Sequence, residues 1–236
     1  KAIKLLGSTP INAGNFNGDY IIRNEEGGEI SRFYGYVADG IFQNQTEVNA
    51  HTDEYGTVIQ PNAQPGDIRF KDLNHDGKLD DNDKTFIGNA FPDLMVGINA
   101  RLAWKNIDFA ANFYGTIGND VYNTTKGRYS GVSGENVYAG TYNASWHGEG
   151  TSYDLPRLSY NDANQNWTRV SSFYVEDGSY LRCKQLQIGY TLPKKWTKKI
   201  SLRLSFSAQN PFTITGYSGM DPEAAALGTE GKVTES

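Results

Sequence analysis

Two runs of alternating apolar residues, separated by only two positions, constrain the fold of this chain more than any other feature. The first run, over 94–104, has an apolar residue at every second position: Leu94, Val96, Ile98, Ala100, Leu102 and Trp104. The second run, over 107–117, repeats the pattern with Ile107, Phe109, Ala111, Phe113 and Ile117. Because successive side chains of a strand point to opposite faces of a sheet, each run predicts a strand of about ten residues with one apolar face. The two positions between the runs predict a tight hairpin turn.

A second hairpin is predicted over 184–209. Its apolar residues alternate in the same way, at Leu186, Ile188, Tyr190, Leu192, Leu202, Leu204, Phe206 and Ala208. The opposite faces of both hairpins carry Arg, Asn, Gln and Asp residues, and the connection near 193–199 is basic. Strands of this length can cross the hydrocarbon layer of a membrane, with the apolar face toward lipid and the polar face toward a wet barrel lumen.

A soluble β-sandwich is the alternative, because its strands also alternate between apolar and polar residues. Strand length favours the barrel, since the strands of soluble proteins average about five to six residues. The aromatic residues favour it as well: Trp104, Phe113, Tyr190 and Trp196 are predicted near strand ends, as in the interfacial girdle of a membrane barrel. No apolar run reaches the roughly 18–20 residues of a transmembrane helix, which argues against a helical membrane protein.

The remainder of the sequence predicts an all-β chain rich in loops. It has 26 Gly and 15 Tyr among 236 residues and a hydrophobic content of only 38%. The polar stretch 118–175 lacks periodicity, and long loops on one side with short turns on the other are typical of outer-membrane barrels. The net charge of -5, without an extended basic segment, predicts that nucleic acid is not a partner. The single cysteine, Cys183, is predicted to be buried or to face lipid.

The segment "DLNHDGKLDDND" at 72–83 has the spacing of a twelve-residue calcium loop. The predicted ligands are the side chains of Asp72, Asn74, Asp76, Asp80 and Asp83 and the main-chain carbonyl of Lys78. Gly77 would make the sharp turn, Leu79 would pack the loop down, and His75 would point outward. Strand-like segments flank the loop, so we expect a structural calcium site rather than a switch that moves helices. The alternative is an Asp/Asn/Gly turn without an ion.

No catalytic constellation is evident, and no catalytic residue is predicted. The three histidines, His51, His75 and His147, are scattered, and the sequence has no G-x-S-x-G, H-E-x-x-H or Gly-rich phosphate motif. We therefore predict that the chain is not an enzyme.

Several segments together resemble the C-terminal third of SusC/RagA-type TonB-dependent outer-membrane transporters. They are "FYGYVADGIFQ" (33–43), "PGDIRFKDLNHDGKLDDNDKTFIGNAFPDLMVGIN" (65–99), "DFAANFYGTIGNDVYN" (108–123), "DGSYLRCKQLQIGYTLP" (177–193) and "LRLSFSAQNPFTITGYSGMDPE" (202–223). The segments occur in the family's order and cover most of the chain.

The resemblance implies that residues 1–236 are part of an antiparallel outer-membrane barrel of about 22 strands with long extracellular loops. It implies transmembrane hairpins at 94–117 and 184–209 and an extracellular connection with the calcium loop at 65–90. The chain departs from the family's pattern, because no plug domain is predicted in it. It also implies import of glycans or oligopeptides, powered by a TonB complex and assisted by a SusD-like surface lipoprotein. We expect the barrel to be incomplete in this chain, and no substrate-binding residue is predicted. The alternative function is that of a soluble, secreted, calcium-stabilised β module that binds a glycan or a surface partner.

Overall fold

The computed structural model describes residues 9–129, 136–137, 139–198 and 200–225. Its strands are β1 (Ile11–Phe16), β2 (Asp19–Asn24), β3 (Arg32–Gly35), β4 (Ala38–Ile41), β5 (Ile68–Phe70), β6 (Thr85–Asn89), β7 (Leu94–Trp104), β8 (Ile107–Ile117), β9 (Asp120–Tyr122), β10 (Val175–Asp177), β11 (Tyr180–Thr191) and β12 (Arg203–Thr215). Its α-helices are short: α1 (Gln45–Ala50), α2 (Thr141–Ala144), α3 (Lys194–Thr197) and α4 (Pro222–Ala225). Single 3-10 turns span Asp81–Asp83, Thr124–Tyr129 and Ser172–Tyr174. The predicted all-β class is confirmed, and no helix in the described ranges is long and apolar enough to cross a membrane.

The described residues divide into two compact units. One unit consists of Phe91–Asp120 and Asp177–Glu223 and contains a four-stranded antiparallel sheet in the order β12-β11-β8-β7. Strands β7 and β8 have the predicted bounds of 94–104 and 107–117, and Lys105 in the two-residue turn has a left-handed φ of 53°. The second predicted hairpin is also present and is longer than expected, since β11 has 12 residues and β12 has 13. Among the described residues, β7 and β12 each pair on one side only, so the sheet is open, as expected for a barrel that is incomplete in this chain.

The register of the sheet shifts between Cys183 and Gln185, with respect to both β8 and β12. On β12, Asn210 has a left-handed φ of 47° and is followed by Pro211, whose missing N–H is tolerated at irregular or edge positions. A β-bulge of this kind re-aims side chains and increases local twist. Here it places two consecutive residues, Lys184 and Gln185, where both contact polar groups.

The other unit contains residues 9–90, 121–176 and 224–225 of the described chain. Its sheets have the orders β1-β2-β3-β6 and β4-β5, and β2 has the bounds of the strand predicted at 19–24. Two clusters of buried side chains form its interior: Tyr36, Ile68 and Phe70 in one, and Phe42, Val48 and Ala63 in the other.

The long aperiodic stretch at 118–175 is not structureless. Asn166 accepts a hydrogen bond from the N–H of Ile68 at 2.8 Å and donates one to the carboxylate of Asp67 at 2.8 Å. Arg157 forms an ion pair of 2.6 Å with the same fully buried carboxylate. Side-chain amides and an Arg–Asp pair therefore hold this stretch, and such contacts leave no periodic signal in a sequence.

Candidate functional site

The four-stranded sheet has one continuous apolar face. Its register aligns apolar side chains in five rows across the strands: Trp104/Ile107/Tyr190/Leu204, Leu102/Phe109/Ile188/Phe206, Ala100/Ala111/Leu186/Ala208, Ile98/Phe113/Cys183/Phe212 and Val96/Gly115/Leu181/Ile214. Leu102, Phe206 and Ile214 remain 68%, 67% and 62% exposed within the chain. A surface of this kind on a sheet requires a non-aqueous environment or another protein to cover it.

Cys183 lies in one of these rows and is fully buried, which confirms the prediction for the single cysteine. Trp104 and Tyr190 lie in the row at one end of the sheet, as predicted for an aromatic girdle. The prediction is wrong for Phe113, which lies in the interior of β8 opposite Ile98 and Cys183. Phe113 is the seventh of the 11 residues of β8, so it lies near the middle of the strand and not at an end.

The opposite face of the sheet is polar. Its rows include Arg101/Ala110/Gln187/Ser207, Asn99/Asn112/Gln185/Gln209 and Gly97/Tyr114/Arg182/Thr213. Asn112 donates a hydrogen bond to Gln185 across the strands at 3.2 Å, and Arg203 pairs with Asp108. These groups can hydrogen-bond water or a polar solute, as the wall of an aqueous channel does.

An ion-pair cluster lies at the bulge on this polar face. Arg182 contacts Asp221 and Glu223, each at 2.5 Å, and Lys184 contacts Glu223 at 2.7 Å. The cluster fixes the start of α4 against the sheet. No sequence pattern indicates this cluster, because nearly 40 positions separate its two halves and neither half has a motif.

The two ends of the acidic loop are tied together by buried carboxylates. Asp72 accepts from the N–H groups of His75 at 2.7 Å and Gly77 at 2.8 Å. Asp83, which is fully buried, accepts from Leu73 and Asp80 N–H groups, both at 2.8 Å. Each carboxylate thereby satisfies backbone donors that a loop this tight could not otherwise pair.

The other predicted ligands lie on the outside of the loop. Asn74, Asp76 and Asp80 are exposed, and each accepts a hydrogen bond from an N–H two residues later, at 3.1, 3.0 and 2.8 Å. Lys78 is also exposed.

Three details of the loop agree with expectation. Gly77 has a φ of 79°, so it makes the sharp turn that a residue with a Cβ rarely adopts. Leu79 packs against the buried cluster of Tyr36, Ile68 and Phe70. His75 is exposed.

The oxygen chemistry of the loop suits a hard cation such as calcium, since each carboxylate oxygen that accepts one N–H retains further acceptor capacity. In the described parts of the chain, however, no three or more His, Cys, Asp or Glu side chains are grouped so that they could hold a metal ion. The calcium set of Asp72, Asn74, Asp76, Lys78, Asp80 and Asp83 therefore stays a prediction.

An open cavity of about 420 Å³ adjoins the loop. It is lined by Thr52, Asp53, Glu54, Ile59, Asp72 and His75. Asp53 packs directly against Gly77, where a Cβ would collide with its carboxylate. The sequence did not reveal this cavity, because the turn that supplies Asp53 lies some 20 positions before the loop and has no motif of its own.

A partly buried guanidinium lies close to the acidic loop. Arg169 is positioned over the rings of Tyr36 and Phe70, at 4.6 and 5.0 Å from their centroids. Burial lowers the pKa of Arg169, while interactions with the Tyr36 hydroxyl and with the carboxylates of Asp162 and Asp83 oppose that shift. The loop thus already has one positive charge near Asp83, which partly balances its carboxylates.

The histidines occupy separate environments. His51 is held by the carbonyl oxygen of Phe70 at 3.1 Å, and His147 stacks on Tyr142 with a centroid distance of 5.1 Å. His75 lies at the mouth of the cavity. The absence of an enzymatic function stays a prediction.

Comparison with known proteins shows that the chain is similar to TonB-dependent receptors. The chain is similar to TonB-dependent receptor P3 of Formosa agariphila, with 35% identity over 202 residues that cover 84% of this chain and 19% of the relative. It is similar to TonB-dependent receptor SusC of Bacteroides thetaiotaomicron, with 26% identity over 210 residues that cover 84% of this chain and 20% of the relative. No family model matches.

Among solved structures, the RagAB peptide importer in the open-open state matches with a TM-score of 0.64 and 21% identity. The match covers 94% of this chain and 23% of that chain. At this level of identity the similarity shows a shared fold. The chain spans about a fifth of the length of the curated relatives it matches.

Proposed function

Because the chain belongs to the SusC/RagA-type family of TonB-dependent transporters, which are outer-membrane proteins, we propose that it forms part of the barrel wall of an importer. The cargo would be a glycan or an oligopeptide. The observation that carries the proposal is the two-faced sheet β12-β11-β8-β7, with five apolar rows on one face and hydrogen-bonding rows on the other.

The lengths and edges of the strands support this role. Strands of 11 to 13 residues are long enough to cross the hydrocarbon layer when tilted. Unpaired backbone groups at a sheet edge cost several kcal/mol each in hydrocarbon. We therefore propose that further strands of the full-length protein pair with β7 and β12.

The proposed partners follow from the family. A SusD-like surface lipoprotein would associate with the extracellular side, and a TonB complex would act through parts of the protein outside this chain. The unit that contains residues 9–90 and 121–176 offers aromatic contact surface for such a partner or for cargo, because Tyr55, Tyr142, Tyr153 and Tyr160 are all more than 60% exposed.

We further propose that the acidic loop binds calcium as a structural brace of an extracellular connection. The proposal is supported by the oxygen-rich composition, the Gly77 turn and the flanking strands β5 and β6. Calorimetry of the full-length protein with calcium and with a chelator tests it. We expect calcium to raise the unfolding temperature, and no calcium-dependent shift would leave an ion-free acidic turn.

Transport is tested in the source organism by deleting the full-length gene and restoring it on a plasmid. Uptake of labelled glycans and of labelled oligopeptides is then measured separately. We expect the deletion to abolish uptake of one class and the plasmid to restore it. Unchanged uptake of both classes would contradict import, and a full-length protein that stays monodisperse without detergent would favour the soluble β module instead.

A further inference from the structure

Both connections at one end of the four-stranded sheet carry exposed lysines. The β7–β8 turn contains Lys105, and the β11–β12 connection contains Lys194, Lys195 and Lys198. The two connections are adjacent, because the N–H of Thr191 donates to the carbonyl oxygen of Asn106 at 2.8 Å. We refer to these four lysines as the basic rim.

The basic rim continues the apolar face of the sheet through exposed aromatic rings. Trp104, in the last apolar row, is 68% exposed, and Trp196, in the connection, is 63% exposed. The ammonium group of Lys105 lies 4.5 Å from the ring centroid of Trp104. The order of apolar row, aromatic ring and ammonium group matches the order of hydrocarbon, interface and headgroup in a bilayer.

The charges of the basic rim are not compensated within the described chain. There, the ion pairs of lysine side chains involve Lys71, Lys84, Lys126 and Lys184 instead. Asp108, on the strand that follows the turn, is already paired with Arg203. The rim therefore presents about four positive charges to whatever lies beside it.

We propose that the basic rim binds the phosphate groups of anionic phospholipids in the adjacent membrane leaflet. The inference rests on the proposed function, because only a sheet that crosses the membrane holds the rim at headgroup depth. The four lysines are exposed and lie next to the lipid-facing rows of the sheet. They therefore suit contact with a layer of headgroups rather than with one enclosed anion. The rim would fix the depth of the sheet in the membrane.

The test uses the full-length protein in bilayer nanodiscs that contain phosphatidylglycerol and phosphatidylethanolamine in equal amounts. After gentle extraction, mass spectrometry gives the ratio of the two lipids that remain bound. A lysine near an anionic membrane surface contributes about a fivefold preference for that surface. We expect the wild-type protein to retain phosphatidylglycerol in at least that excess, and salt to reduce the excess.

Two matched variants locate the effect. K105Q/K194Q/K195Q/K198Q should bind the two lipids in nearly their bulk ratio, whereas K105R/K194R/K195R/K198R, which keeps the charge, should retain the wild-type excess. An unchanged excess in the Gln variant would overturn the proposal. Displacement of the lipid by glycerol phosphate at constant ionic strength would also overturn it, because the rim would then be a site for free anions.

Membrane insertion is measured in the same samples. A protein that is inserted but shows no phosphatidylglycerol excess refutes the basic-rim proposal alone. A wild-type protein that does not enter the nanodisc at all refutes the proposed function.

Discussion

Asp108 on β8 and Arg203 on β12 form an ion pair across the intervening strand β11, directly over Gly189. Arg203 Nη2 lies 2.5 Å from Asp108 Oδ2, and Nε donates to Oδ1 at 3.1 Å. A Cβ at position 189 would collide with the guanidinium and the carboxylate together. The pair therefore fills the space that a side chain at position 189 would occupy.

We expect Gly189→Val to separate this pair and to lower the thermal unfolding temperature of the full-length protein in detergent. Gly97→Val is the control, since Gly97 lies on the same polar face and nothing lies within 4 Å of its missing Cβ. Arg203→Gln should lower the unfolding temperature less in the Gly189→Val background than in the wild type, because the contact is already lost in that background. Equal changes in unfolding temperature at positions 189 and 97 would show that a side chain at position 189 does not disturb the ion pair.

The two faces of the sheet predict opposite responses to a charge. Ala208→Arg places a guanidinium in the middle apolar row, where about 2–4 kcal/mol of destabilisation is expected at the midplane of a bilayer. Ser207→Arg, one residue earlier, faces the polar side and should be nearly neutral. Denaturant titration of the protein in bilayers measures both variants, and a similar loss in each would mean that the faces are misassigned.

The sequence predicts the features that depend on local interactions, and it does not predict those that depend on contacts between distant segments. Strands β7 and β8 were predicted residue by residue, because alternation is a local property of the chain. Two other contacts were not predicted, because each joins distant segments through single side chains. They are the pairing of Arg182 with Asp221 and the burial of Asn166 against Ile68. For the acidic loop, spacing predicted the turn at Gly77 and the packing of Leu79, whereas the cavity beside Asp53 required the folded chain.

Asp83 should be the most sensitive side chain of the acidic loop. Asp83→Asn replaces one buried acceptor oxygen with an amide donor that faces an N–H group, which costs about 1–3 kcal/mol. Asp81→Asn is the control: it removes a 2.9 Å ion pair with Lys84, but the Asp81 side chain is 88% exposed, so the loss should be under about 1 kcal/mol. Amide hydrogen exchange over 72–83 distinguishes the two, and equal protection in both variants would show that Asp83 does not hold the loop.

His51 should make the unit of residues 9–90 and 121–176 sensitive to mild acid. Burial, with Arg69 nearby, lowers the pKa of His51 below its ordinary value of 6.5, against the hydrogen bond to Phe70. The unfolded state therefore binds a proton at His51 more tightly than the folded state does. The contribution of neutral His51 to the free energy of unfolding is complete above pH 6.5 and is lost as the pH falls through the folded-state pKa. Hydrogen exchange over 42–70 should increase below pH 6.5 in the wild type and change less in His51→Gln. The exposed His75→Gln should follow the wild type, and a similar acid response in all three proteins would exclude His51 as the cause.

The sheet β12-β11-β8-β7 should separate lipid from water in the full-length protein. Spin labels at successive positions of β8 and β12 of the reconstituted protein, in a Cys183→Ala background, test this arrangement. Collision rates with oxygen and with a water-soluble nickel chelate are measured at each position. We expect a two-residue period, with oxygen favoured at Phe109, Phe206 and Ala208 and the chelate favoured at Asn112 and Ser207. Equal access of the chelate to both sets, or the opposite phase, would contradict it.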